Sequence, residues 1–413
     1  MKWQMVKLQQ IASNEKGSIV SGPFGSNISA KFFVEEGIPV IRGNNLTKGK
    51  QKFIDDGFVY LTETKATEFR NCIAIKDDIV FTAVGSIGQV GIIPSETRFQ
   101  KYVISNKQLR VRIDNKKADP MFVYYWLSSP QMTSYIEGMN NGGAVPLINL
   151  GIIRRIAVPL PPVDIQANIS ANISVYDDMI DNNQRRIQLL EESAQLLFRE
   201  WFVYFRFPGH EKVKIVDGIP EGWEKESIKK YYDTSSGGTP SRRFPEYFSG
   251  EINWVKTQEL GEKFIFDTEE KVTQEAINKS SAKIFPVDTL LITIYGVNIG
   301  ETGILAKPAA TNQACVAFFP KKPHYHYIYL HLYLQMIRDY LVSLALGSAQ
   351  TNISQDTFRK VKILMPDEPR MNKFISIVEP IYEQIKNLQF QNQKLAQARD
   401  LLLPRLMSGA IEV

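Results

Sequence analysis

A chain of 413 residues with 44% hydrophobic and 11% aromatic content can bury two or three cores, which excludes an intrinsically disordered chain. Its 49 basic and 44 acidic residues leave a net charge of +5, which permits an anionic partner without demanding one. Two cysteines, Cys72 and Cys315, exclude a disulfide framework and point to a reducing, cytoplasmic setting, and the start MKWQMVKLQQ lacks the apolar core of a signal peptide.

Residues 1–160 read as a domain of mixed α and β structure. Short β-branched runs, Ile38-Pro39-Val40-Ile41 and Asp78-Ile79-Val80-Phe81-Thr82, lie between glycine-rich turns, and the amphipathic residues 120–137 predict a helix. Pro159, Pro161 and Pro162 stop this domain, and Asp164 can cap a long helix over residues 161–203. Within it Ile169, Ile173, Tyr176, Ile180, Asn183, Ile187, Leu190, Ala194, Leu197 and Trp201 step by four and three, the seam of a left-handed coiled coil. Residues 204–222 form a linker punctuated by Pro208-Gly209 and Pro220, and residues 223–366 a second mixed domain. Its most apolar run, residues 327–346, carries His331, Gln335, Arg338 and Asp339, so it predicts a buried helix and no membrane span. Asp367 and Pro369 open a second long helix and tail over residues 367–413, with Pro404 near its end and Gly409 closing it.

The two halves repeat. Moving the first seam on by 205 residues gives Phe374, Val378, Ile381, Ile385, Leu388, Asn392, Leu395, Arg399, Leu402 and Leu406. Ahead of the helices, Ile41-Arg42-Gly43-Asn44-Asn45-Leu46 answers Val255-Lys256-Thr257-Gln258-Glu259-Leu260; Gly85, Gly88 and Gly91 answer Gly296, Gly300 and Gly303; Asn106 answers Asn312, and Trp3 answers Trp223. A chain that doubles back through its linker can pair two equal seams antiparallel. The expected fold is α+β: two mixed α/β domains separated by two long antiparallel coiled-coil helices with pseudo-two-fold symmetry. Counted along the seams, Asn183 faces Asn392 as a polar pair that sets the register, Trp201 meets Phe374, and Tyr176 meets Arg399 with the guanidinium over the ring.

Motifs for catalysis are missing from the sequence. It has no Walker A pattern, no zinc spacing of cysteines and histidines, no G-x-S-x-G elbow, and no Asn/Asp-Pro-Pro-aromatic element of amino-methylating enzymes. His324, His326 and His331 are spaced by two and five and do not share a helix face, which argues against a metal site. Asp367 and Glu368 with Lys373 suit a helix cap better than a nuclease carboxylate pair, and the glycine sets suit hairpin turns better than phosphate cradles. Polar loops recur at matching places with side chains able to hold phosphates or read base edges: Arg42, Asn44, Asn45, Lys101 and Tyr102, then Arg242, Arg243, Lys256, Gln258, Gln350 and Asn352. Leu189, Leu196, Phe198, Phe390 and Leu403 lie off the two seams and ask for further helices from partner proteins.

The closing runs Ile156-Ala157-Val158-Pro159-Leu160-Pro161-Pro162 and Gly347-Ser348-Ala349-Gln350-Thr351-Asn352-Ile353 carry a family resemblance. With them go Leu196-Leu197-Phe198-Arg199-Glu200-Trp201-Phe202, Gly218-Ile219-Pro220-Glu221-Gly222-Trp223 and Leu401-Leu402-Leu403-Pro404-Arg405-Leu406-Met407-Ser408-Gly409. Over nearly its whole length the chain resembles the specificity subunits of type I restriction-modification enzymes. The resemblance implies two target-recognition domains, each reading one half of a bipartite double-stranded DNA site. It also implies that the helices set the spacing and dock two methyltransferase subunits, with restriction (motor and nuclease) subunits joining the full complex. S-adenosylmethionine, ATP and magnesium would then belong to the partner subunits, and this chain would be non-catalytic within a site-specific deoxyribonuclease and adenine methyltransferase. One departure is that Ala144-Val145-Pro146-Leu147 stands where the second copy has Ser348-Ala349-Gln350-Thr351, so a glutamine role does not carry to Pro146. The alternative is a coiled-coil adaptor that joins two protein partners without touching DNA; a catalytic chain comes third.

Overall fold

Apolar β-branched runs too short for a helix become strands buried on both faces: all four residues of Ile79–Thr82 are buried between the antiparallel strands Val90–Ile92 and Gln108–Val111. The computed structural model describes residues 3–49, 51–139, 145–346 and 352–411. The chain folds as two units, Met1–Asn182 with Asn392–Val413, and Asn183–Gln391.

In the first unit Ile19–Ser21 extends the Ile79–Thr82 sheet. A second sheet has the order Val59–Leu61, Ile38–Ile41, Tyr102–Ile104, Ile73–Ala74, and its central pair runs parallel. The second unit repeats both. One sheet runs Tyr232–Ser236, Cys315–Pro320, Leu290–Thr293, Thr302–Leu305, with Phe264–Ile265 added at its edge. The other runs Lys271–Val272, Ile252–Val255, Ala309–Thr311, Ile284–Phe285, again with a parallel central pair. The equivalence reaches single bonds. Thr82 N–H donates to Gln89 O at 3.0 Å as Thr293 N–H does to Glu301 O at 2.9 Å, and Ile92 N–H donates to Lys52 O at 3.0 Å as Ile304 N–H does to Lys263 O at 2.8 Å. Asp77 and Asp288, each two residues before its central strand, share the left-handed conformation with φ of 66° and 62°. The bridges Val84 to Leu147 and Tyr295 to Asn352 set the end of the repeat at 205 residues (352 − 147), one more than the sequence alignment of the closing runs used, so Gln350 aligns with Val145.

Two expected helices are each split. Residues 120–137 form Pro120–Leu127 and Pro130–Gly138, because Pro130 has no N–H to continue the first helix and instead starts a new one, capped by Ser129 Oγ accepting from Met132 N–H at 3.3 Å. Residues 327–346 form Tyr327–Met336 and Arg338–Leu346, and no helix among the described residues is long and apolar enough to cross a membrane. The long helices are Val163–Phe202 and Glu368–Ser408. Asp164 falls inside the first turn and does not precede it, whereas Asp367 does cap, accepting from Arg370 N–H at 3.0 Å. Gly409 follows the second helix at φ 71°.

Each unit holds its helix segments in antiparallel order. In the first, Ile169 and Ile173 share an apolar cluster with Leu403, Leu406 and Met407, and Asp177 pairs with Arg399 at 2.7 Å. In the second, the Trp201 and Phe374 rings lie 5.5 Å apart as expected, while Glu191 and Tyr382 both reach Lys263. The expected stacking of Arg399 on Tyr176 is corrected: the guanidinium bonds Asp177, Asp400 and Gly49 O, because carboxylates offer it charge-assisted bonds that a ring face cannot match. Asn183 is buried in the second unit and Asn392 half-buried in the first.

A buried polar junction recurs where each domain meets its helix segment. In the first unit Tyr125 OH donates to Asp177 Oδ2 at 2.7 Å, and Lys52 pairs with Asp178 at 2.9 Å. In the second, His331 Nδ1 and Tyr382 OH lie 2.7 Å apart, and Lys263 pairs with Glu191 at 3.1 Å. Burial, reinforced by the Lys263 charge, holds the His331 imidazole well below its usual pKa, so it stays neutral in the folded chain. The unfolded chain therefore binds the extra proton below about pH 6.5, and stability falls as the pH drops through that value by about 1.4 kcal/mol per unit for this one group. Urea unfolding between pH 7 and pH 5 should show that slope, and His331→Phe should reduce it; an unchanged slope would mean that other groups cause it.

Candidate nucleic-acid interface

At the end of the strand Ile38–Ile41 the chain must turn, and the short 3-10 turn Gly43–Asn45 follows. Asn45 was expected at a binding surface, and the structure corrects this. The residue is fully buried, its Oδ1 accepts from Arg42 N–H at 2.9 Å, and its Nδ2 donates to Ile54 O and Asp56 O at 3.0 and 2.8 Å. A side-chain amide with both ends satisfied cannot also read a base. Glu259 plays the same part in the second unit, accepting from Lys256 N–H and from Glu269 N–H. Tyr102 is likewise corrected to a core residue. It has no exposed surface, packs against Phe53, Phe58 and Phe99, and donates to Asp55 Oδ1 at 2.8 Å; burial pushes its hydroxyl up to about 12.

Arg42 and Asn44 stay at the surface, both donating to Gly57 O at 3.4 and 3.2 Å. They border a cleft of about 740 Å³ that the second half of the turn region completes with Thr82, Gln89, Asn106 and Lys107. Two cations and no carboxylate line it. A smaller cavity of about 390 Å³, beside Arg399 and Lys48, differs in kind because Glu137, Asp177 and Asp400 line it too. Of these two, the first cleft is the one that offers an anion uncompensated positive charge. Lys101 lies outside that lining and bonds Glu63. The glycines Gly85 and Gly88 adopt φ of 90° and 89°, the tight turn expected of them, and this turn carries Gln89 into the cleft.

In the second unit the matching cations are largely neutralised. Lys256 pairs with Glu269 and Glu270 at 3.0 and 2.9 Å, and Arg242 pairs with Glu270 while lying over the Phe248 ring at 4.0 Å. Bonds from Arg242 and Lys256 hold the Glu270 carboxyl down to about 2. Gln258 is exposed and donates to Glu269 at 3.3 Å; Arg243 is exposed; Asn352 is half-buried in its bridge to Tyr295; Gln350 lies outside the described residues. Of the three histidines weighed as a metal site, His326 caps the helix Tyr327–Met336, His331 is held by Tyr382, and His324 lies 3.3 Å from Glu368. Among the described residues no three His, Cys, Asp or Glu side chains are grouped to hold a metal ion.

The apolar residues expected to meet partner helices divide in two. Leu189, Leu196 and Phe390 are 56%, 60% and 42% exposed. Phe198 and Leu403 are corrected to core residues: Phe198 packs on Phe202, Tyr329 and Phe374, and Leu403 joins the cluster of Ile169 and Ile173. A two-helix seam alone would leave both outside, but the globular part of each unit covers a second face of its helix segments. The sequence reading missed Val175 and Met179, four residues apart on the first long helix and about half exposed.

Comparison with known proteins adds a family. The model of the type I restriction modification DNA specificity domain matches residues 1–192 and 220–397. The type I restriction enzyme MjaIX specificity subunit of Methanocaldococcus jannaschii is 24% identical over 418 residues, covering 100% of this chain and 94% of its own length. The HindI specificity subunit of Haemophilus influenzae is 24% identical over 401 residues, with 81% and 87% covered. Among solved structures, a type I restriction-modification system S subunit from M. genitalium superposes with a TM-score of 0.57 at 14% identity, covering 98% of this chain and 96% of that one, a likeness of fold.

Proposed function

The chain belongs to the type I restriction-modification DNA specificity family, and from that premise we propose that each repeated domain reads one half of a two-part duplex DNA site. The long helices set the gap between the halves and offer Leu189, Leu196 and Phe390 to two methyltransferase subunits. Restriction subunits join that core, and S-adenosylmethionine, ATP and magnesium are bound by the partners. This chain contributes recognition and no bond-making step.

The observation that carries the reading is the first-unit cleft, where the half-buried Arg42 and the exposed Lys107 stand beside neutral polar side chains with no carboxylate in the lining. Such a surface attracts the phosphate backbone and leaves donors and acceptors for base edges. The test is duplex binding by the chain assembled with its methyltransferase subunits, followed against salt. Arg42→Ala and Lys107→Ala should each flatten the slope of log affinity against log salt by about one if they meet phosphates. A base contact by Arg42 would instead cost about 1–3 kcal/mol on one half-site alone, and Arg243→Ala should act only on the other half. No salt-dependent binding by the assembled complex would leave the chain as an adaptor between proteins.

A further inference from the structure

Gln89 stands in the cleft with one of the four hydrogen-bonding places of its side-chain amide committed. Thr82 Oγ1 donates to Gln89 Oε1 at 2.8 Å, and the backbone of the same two residues is joined by the bond from Thr82 N–H to Gln89 O at 3.0 Å. The side chain is thereby held at Oε1 and its backbone in the hairpin, while Oε1 keeps a second lone pair and Nε2 keeps both hydrogens. Among the described residues no acceptor lies within bonding distance of Nε2, and the atom is not sealed from solvent. Gly43 lies beside it: a methyl group there would meet Gln89 Oε1 at 3.5 Å, an ordinary van der Waals contact. Arg42 and Lys107 line the same cleft and supply its positive charge.

An amide with a donor and an acceptor place free, held by Thr82 in the lining of a positively charged cleft, matches the N7 acceptor and N6 donor of adenine in the major groove. We propose that Gln89 reads an adenine in the half-site bound by the first unit, an inference that rests on the DNA-reading function above. The second unit differs at the same place. Glu301 occupies the position of Gln89 there and pairs with Arg338 at 2.6 Å, so the two domains present different chemistry at one repeat position. The effect of Gln89 therefore falls on one half-site.

The experiment compares Gln89→Ala and the near-isosteric Gln89→Glu, each assembled with the methyltransferase subunits. Their methylated motifs are sequenced genome-wide, and binding is measured on duplexes varied one base pair at a time. Gln89→Ala should lose about 10- to 100-fold of discrimination at a single A·T position, with the other half-site and the salt slope unchanged. Gln89→Glu, which only accepts, should move that position toward cytosine, whose N4 donates. If both variants keep the wild-type discrimination at every position, the inference is wrong while the DNA-reading function stands. A wild-type complex with no two-part preference overturns both.

Discussion

Asp78→Ala is expected to destabilise the first unit by about 3–5 kcal/mol, because it strands the buried Arg110 and takes a carboxylate from the half-buried Arg112, which keeps Glu15 as its one other carboxylate among the described residues. The Asp78 carboxylate is 1% exposed and accepts from Ile75 N–H at 2.9 Å, from Arg110 Nη1 at 3.3 Å, and from Arg112 Nε and Nη2 at 2.8 Å each. Arg110 is itself 4% exposed, and its further bonds among the described residues go to the carbonyls of Gly17 and Asn71. The repeat shows that the fold does not need this charge. Val80 pairs with Arg110 across the first sheet, and the equivalent pair in the second unit is Leu291 with Ala317. Joint replacement of Asp78 by Ala and Arg110 by Met should therefore recover part of the loss. Urea unfolding measures both, and a single-variant loss under about 1 kcal/mol would show that the cluster is not closed to water.

Phe374→Ala should cost the second unit a similar amount, about 3–5 kcal/mol, by opening a cavity among aromatic rings. Phe374 is 1% exposed, and its ring centroid lies 4.7 Å from Phe202, 5.5 Å from Trp201 and 6.2 Å from Phe198. Phe202 also packs edge-on against Tyr329 at 4.9 Å, so helix and domain meet in one cluster. Phe374→Leu keeps most of the volume and should lose clearly less. Equal losses from the two variants would assign the cost to backbone rearrangement instead of the missing ring.

The pairing of Trp201 with Phe374 was legible in the heptad count alone, as were the cap at Asp367 and the turn at Gly409. The matched loops Arg42–Leu46 and Lys256–Leu260 were legible as a repeat too, although the part each residue plays was not. Gln89 escaped notice because it sat inside a glycine set that explains itself as a turn. Its bond partner Thr82 lies across a hairpin, at the end of the strand Ile79–Thr82.

By itself the sequence determined the two long helices and the mixed domains, because these rest on periodicity, caps and turn residues that act within a few positions of one another, while the matched seams showed the duplication and the closing runs carried the family resemblance. Only the tertiary structure decided which polar side chains remain for a ligand. Asn45 is consumed by Ile54 and Asp56, Tyr102 by Asp55, Lys256 by Glu269 and Glu270, and Phe198 by Phe374, all partners nine or more residues away. Burial and pairing are properties of such distant contacts, and a buried polar group must take whichever partner the fold brings to it. Arg42, Lys107 and Gln89 remain available because the first unit's strands and turns bring no carboxylate to the cleft they line.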